Sequence, residues 1–181
     1  GGIAFDTPSF ALKAGPAAAK TVFILNSDRA TALKQPDAVS TRYVLYFTES
    51  LRGLSVGAPV TLLGLPGGEV TAVGLDLNPS TKSIRGRVEI VSYPDRLVDR
   101  LQQSQAGLGR ALLQNTAERH GLIQYMVEQR GLRAQLRSGS LLTGQLYVAL
   151  DFFPDAPKTK IDWTLETPVL PVVPSTLPDL E

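Results

Sequence analysis

Apolar positions in this chain recur at two periods, every second residue over most of its length and every third or fourth through one central stretch. Residues 84–90 alternate most cleanly, with Ile84, Gly86, Val88 and Ile90 on one face and Arg85, Arg87 and Glu89 on the other. That pattern predicts a strand with one buried face. Residues 42–48 set Tyr43, Leu45 and Phe47 against Val44 and Tyr46, so both faces are apolar and the strand is expected to be central or covered on both sides. A short strand is predicted at 22–25. Near the other end, Leu132, Ala134 and Leu136 point inward with Arg133, Gln135 and Arg137 outward. A partner strand follows with Leu146, Val148, Leu150 and Phe152 inward and Gln145, Tyr147 and Asp151 opposite.

Between these strands the period lengthens. Leu97, Leu101, Leu108 and Leu112 fall at rough helical spacing, interrupted by Gly107 and Gly109, and Pro94 suits a first helical turn. A second helix is predicted at 116–129, with Leu122, Ile123, Met126 and Val127 on one face and Gly131 as its stop. Such short amphipathic helices are expected to cover a barrel end or to form an oligomer contact. Upstream, residues 52–90 hold several short apolar runs cut by Gly53, Gly57, Gly64, Gly67, Gly68 and Gly74. Glycines at this density fit strands that bulge, turn corners and pass close to one another, as in a small coiled barrel. The fold class is therefore mainly β, a small barrel with a short helical insert at about 94–130 and extended terminal segments.

The ends read differently. Residues 11–19 are rich in small side chains and read as linker, and 27–40 as an irregular connection. Beyond Pro154, the prolines at 157, 168, 171, 174 and 178 predict an extended, poorly pairing exit. Thr176 with Pro178 and Asp179 then looks like a helix start. The first eight residues resemble 144–154 loosely, which fits either a repeated module or two chance strands. Both ends look cut, as in an internal piece of a longer protein.

Charge narrows the partners. Eighteen basic residues against 17 acidic ones give a formal +1, so no strongly basic face is required and no nucleic-acid partner is expected. There is no cysteine and one histidine. Thiolate metal sites are thereby excluded, and His120 lacks a visible nucleophile or orienting partner for acid–base work. Asp95, Asp99, Asp151 and Asp155 do not follow a calcium-loop spacing. Gly64, Gly67 and Gly68 lead into a strand without the Lys-Ser/Thr of a phosphate loop, so a turn is predicted there. No catalytic residue, metal or cofactor is expected, and no apolar run approaches the ~20 residues of a membrane-crossing helix.

One loop breaks the polar rule for turns. Leu141 and Leu142 stand within 138–144, between Ser-Gly-Ser and Thr-Gly, where the chain reverses. Leaving each wet forgoes roughly 1.5–3 kcal/mol. Two arrangements would cover them: folding back on their own barrel end, or projecting into an apolar space shared with other copies or a ligand.

The run at 50–76, SLRGLSVGAPVTLLGLPGGEVTAVGLD, resembles the signature of the mammalian cell entry (MCE) domain. Its glycine-leucine turn, Gly-Ala-Pro-Val and Gly-x-x-x-Gly-x-Val follow one another in that family's order. Within the family, 132–155 is most similar to the paraquat-inducible protein B branch, whose members string modules in tandem. The resemblance implies an MCE β-barrel at 41–155, preceded by the end of another module at 1–8 and a linker at 9–40, and followed by an exit segment at 156–181. This would be the last module of its array. It further implies a homo-oligomeric ring, a hexamer by family pattern, with the 138–144 loop facing a central pore. Ser140, Leu141, Leu142 and Thr143 would then line the pore, and the partner would be a phospholipid or other hydrophobic lipid. Also implied are transport between inner and outer membranes, a periplasmic location, an inner-membrane anchor outside these residues and an inner-membrane partner protein. The alternative is a structural or adaptor module that grips a protein partner through the same loop.

Overall fold

Alternating residues form six strands in one curled sheet. In this computed structural model, residues 39–175 are described, all within the second of the chain's two compact units, Asp37–Glu181. The expectations for 1–8, the linker, the strand at 22–25 and the helix start at Thr176 lie outside the described residues. The strands are β1 (Thr41–Phe47), β2 (Pro59–Leu62), β3 (Leu65–Asn78), β4 (Ser83–Ser92), β5 (Leu132–Ser140) and β6 (Gln145–Phe152), in sheet order β1-β4-β3-β2-β6-β5. All neighbours are antiparallel except β2 and β6, which run parallel.

The inward faces meet in one core. Leu45, Phe47, Val60, Val70, Val88, Ile90, Leu136 and Val148 are all buried there, each stabilising the fold by roughly 1.5–3 kcal/mol relative to exposure. Curling brings backbones close. A Cβ on Gly68 would stand 2.1 Å from the Val91 carbonyl oxygen, so the β3–β4 crossing tolerates only hydrogen at that position. The reversal in this region is tighter than the sequence suggests. It falls at Leu63 and Gly64, both at positive φ (51° and 87°), while Gly67 and Gly68 already belong to β3.

The helical insert comprises α1 (Pro94–Val98), a 3-10 turn (Gln103–Gln105), α2 (Ala106–Gln114) and α3 (Thr116–Arg130). The expected interruption at Gly107 and Gly109 is displaced to the segment before α2, and both glycines are helical. A Cβ on Gly109 would meet Val98 at 2.6 Å, so this glycine lets α1 pack against α2. Asn115 caps α3 by accepting from the Glu118 amide at 3.0 Å, and Gly131 ends it in the left-handed conformation.

The exit segment departs from the expectation of poor pairing. Between its prolines it bonds both sheet edges in turn. The Val44 amide donates to Pro168 O and the Leu170 amide to Val44 O. The Ala134 amide donates to Pro171 O and the Val173 amide to Ala134 O, all at 2.9–3.0 Å. Prolines occupy positions that accept, where no N–H is needed. Residues 168–173 thereby link β1 to β5 and use the edge groups that each strand would leave open.

This also corrects the outward placement of Arg133 and Gln135. Both are buried, Arg133 at 2% exposure, because α3 and the exit segment cover that face of β5. The Arg133 guanidinium donates to the carbonyls of Val127, Leu132 and Pro157, and Gln135 Nε2 donates to Pro174 O. Burial pushes the Arg133 pKa down, while three carbonyls accept from its guanidinium.

Candidate functional site

Strand directions decide what gathers where. The β1, β3 and β5 strands and segment 168–173 run one way, and β2, β4 and β6 run the other. The β1–β2 loop, the β3–β4 turn and the β5–β6 turn therefore share one end of the sheet. The β2–β3 turn and both junctions of the helical insert lie at the other end.

At the first end, β5 and β6 form a hairpin shorter in its loop than 138–144. Ser138 and Ser140 remain paired with Leu146 and Gln145, with a bulge at Gly139, and only 141–144 turns. The Gly144 amide donates to Ser140 O at 2.9 Å, and the Thr143 amide donates to Ser140 Oγ at 3.2 Å. Ser140 thus accepts with both its oxygens to hold the turn. At its apex Leu141 and Leu142 are each 94% exposed, and neither folds back onto its own barrel end. Thr143 is exposed beside them and Ser140 is half-buried.

The base of this hairpin is fixed by the β1–β2 loop. The Leu146 amide donates to Gly53 O at 2.9 Å. Gly53 sits at φ +94°, so close to the turn that an added Cβ would stand 2.1 Å from Gly144 O. Two wet leucines are therefore carried on a tied ladder rather than on a slack loop. Apolar surface held out in this way can contact a lipid tail or an apolar neighbour.

The same end holds apolar residues that sequence reasoning missed. The β3–β4 hairpin extends past β1, whose last residue, Phe47, pairs with Gly86. Ile84, expected on the buried face, is 62% exposed, and its cross-strand partner Leu77 and nearby Leu75 are exposed with it. They continue the core-facing stripe of Val88 and Ile90 beyond the point where another strand covers it. The observed strands differ in length, 14 and 10 residues in β3 and β4 against 7 in β1, but the alternating run at 84–90 is no longer than that at 42–48, so the sequence carried no signal of this overhang. On the opposite face Arg85 pairs with Asp76 at 2.9 Å and lies 3.7 Å over the Tyr46 ring.

His120 has a packing role. Its ring stacks on Trp163 with centroids 4.0 Å apart, and Trp163 Nε1 donates to Gln124 Oε1 at 3.1 Å. The Gln124 oxygen also accepts from the Ile161 amide. Burial, and secondarily the Arg119 cation, push the His120 pKa below its ordinary value. At the far end α3 borders an open groove of about 560 Å³ lined by Leu122, Tyr125, Met126, Phe152 and Pro154. Among the described residues no helix is long and apolar enough to cross a membrane.

This chain is similar to known proteins. A chain of a solved Acinetobacter MlaFEDB complex, in its ATP-bound Vtrans1 conformation, is similar over 91% of this chain and 93% of its own, at 14% identity and a TM-score of 0.40. The family described as MlaD protein matches residues 39–153, the span that holds all six strands and the helical insert. With more than half of its sequence inside that match, the chain belongs to the MlaD family of MCE-domain proteins.

Proposed function

We propose that this chain is a lipid-transport module of the cell envelope, one subunit of a ring in which the β5–β6 hairpins face a common pore. The observation that carries the reading is the almost complete exposure of Leu141 and Leu142 on a hairpin fastened through Ser140 and Gly53. Membership of the MlaD family supports the transport role. In this reading Leu141 and Leu142 wall the pore, with Ser140 and Thr143 at its lining. The cargo is a phospholipid or similar lipid, and the ring is a homohexamer.

The physical need is large. Moving an acyl tail through water costs about 0.8 kcal/mol per methylene, on the order of 12 kcal/mol for sixteen carbons. A pore walled by leucines lowers that cost without any chemical step, so the module binds and conducts rather than catalyses. The chain is proposed as the last module of a paraquat-inducible protein B-like array, with 1–8 ending the preceding module. The array is periplasmic, anchored in the inner membrane by a segment outside these residues, and meets a membrane partner protein there.

The test is a photoreactive residue at Thr143 in the full-length protein, with and without the double substitution Leu141→Asp and Leu142→Asp. Lipid adducts are expected with native leucines and at least tenfold fewer in the double variant, with an unchanged melting temperature. Equal lipid adducts in both proteins would refute the pore role. Protein adducts with no lipid would favour the adaptor reading instead.

A further inference from the structure

The β3–β4 hairpin carries an apolar groove that the pore reading does not use. It opens where β1 stops, because Phe47, the last β1 residue, pairs with Gly86 and leaves Leu75 and Ile84 without a covering strand. Leu51 forms the floor against Gly86, where an added Cβ would lie 2.5 Å from its Cδ1. Leu75 and Ile84 are 74% and 62% exposed, so the apolar walls are wet. The volume of about 330 Å³ falls within the ~300–1,000 Å³ of small-ligand clefts.

We infer that this groove holds the acyl tail of a lipid, as a second contact beside the Leu141–Leu142 turn. The inference rests on the transport reading, because the tail is that of its cargo. The groove is joined to the turn through the β1–β2 loop. Residues 51–54 form one tight reversal, closed by the Leu54 amide on Leu51 O at 3.0 Å. Leu51 lines the groove, while Gly53 O accepts from the Leu146 amide at the hairpin base. The rim is polar but engaged. Glu49 accepts from the Ser175 amide and hydroxyl, and Arg85 pairs with Asp76 while lying over the Tyr46 ring. Charges satisfied within the chain offer little to a headgroup or a charged peptide, whereas the apolar floor and walls favour methylenes. Size argues against a second copy as occupant. Nine residues line the groove, against ~20–30 on each side of a stable subunit interface.

The probe is phosphatidylcholine with a photoreactive diazirine at the end of one acyl chain, in vesicles incubated with the full-length protein. Adducts are mapped by peptide mass spectrometry and are expected on two segments, 138–147 and 47–51. Leu75→Asp with Ile84→Asp should cut the adducts on 47–51 at least tenfold. Those on 138–147 should stay within about twofold, with an unchanged melting temperature. Phosphatidylglycerol carrying the same chain is expected to label 47–51 to within about twofold of phosphatidylcholine. Label on 138–147 without label on 47–51 would overturn the inference and leave the pore reading standing, whereas label on neither would overturn both. A tenfold headgroup preference at 47–51, or adducts there that survive both aspartates, would also overturn it. So would a disulfide between two chains carrying Ile84→Cys alone, which would assign the groove to a second copy; no native cysteine competes.

Discussion

Gly53 and Gly57 share one backbone angle, φ +94°, but not one environment. A Cβ on Gly53 would strike the Gly144 carbonyl, whereas a Cβ on Gly57 would meet nothing within 4 Å. Holding an ordinary residue at such an angle costs about 1–3 kcal/mol, and Gly53→Ala must also move the hairpin turn. Gly53→Ala is therefore expected to lower the melting temperature more than Gly57→Ala, by several degrees at ~2–4 °C per kcal/mol. Equal shifts in thermal unfolding would mean that the hairpin is not held at its base. At this scale the sequence was informative about Leu141 and Leu142, because apolar residues at a reversal violate the usual chemistry of turns. Their exposure was not legible, since it depends on where the hairpin points. Arg133 was misread for a related reason. Alternation separates the two faces of β5, but cannot say that a segment more than twenty residues later will cover the polar one.

The element that changes the picture most is the exit segment. Its prolines suggested chain that cannot pair, yet its contacts with β1 and β5 ask for only one donor each. Leu170 and Val173 supply them while Pro168 and Pro171 accept. Upstream of it, Ile161 and Trp163 fasten the same segment to α3 through Gln124 and the His120 stack. Burial and the neighbouring Arg119 favour the neutral imidazole in the folded state. A base whose folded pKa is lowered contributes stability that is fully present above its unfolded value of about 6.5 and lost as pH falls through the folded value. The urea midpoint is therefore expected to drop between pH 7 and pH 5, and to drop less in His120→Gln. Identical pH dependence in the two proteins would remove His120 from this clamp. The helices were legible in position from their apolar spacing, and Gly131 marked the last stop. The break before α2 was not legible, because Gly109 is required by the approach of Val98 rather than by a helix end.

At the scale of the whole molecule, antiparallel order gathers the exposed leucines of the β5–β6 hairpin, the uncovered stripe of the β3–β4 hairpin and the departing chain at one end of the sheet. The helical insert joins the sheet at the other. The mainly β class was readable from the alternating runs, and the barrel from glycines at close crossings such as Gly68. The closure of β1 against β5 by 168–173 was not, because it joins Val44 to residues more than a hundred positions later. This asymmetry gives the proposed pore a greasy end and leaves the scaffold indifferent to which side chains stand at the hairpin tip. Native mass spectrometry of the full-length protein, with and without Leu141→Asp and Leu142→Asp, tests that division. The expected result is a six-subunit species carrying lipid mass, with the double variant keeping its subunit number and losing the lipid. A lipid-free monomer, or a variant that retains as much lipid as the native protein, would contradict the account.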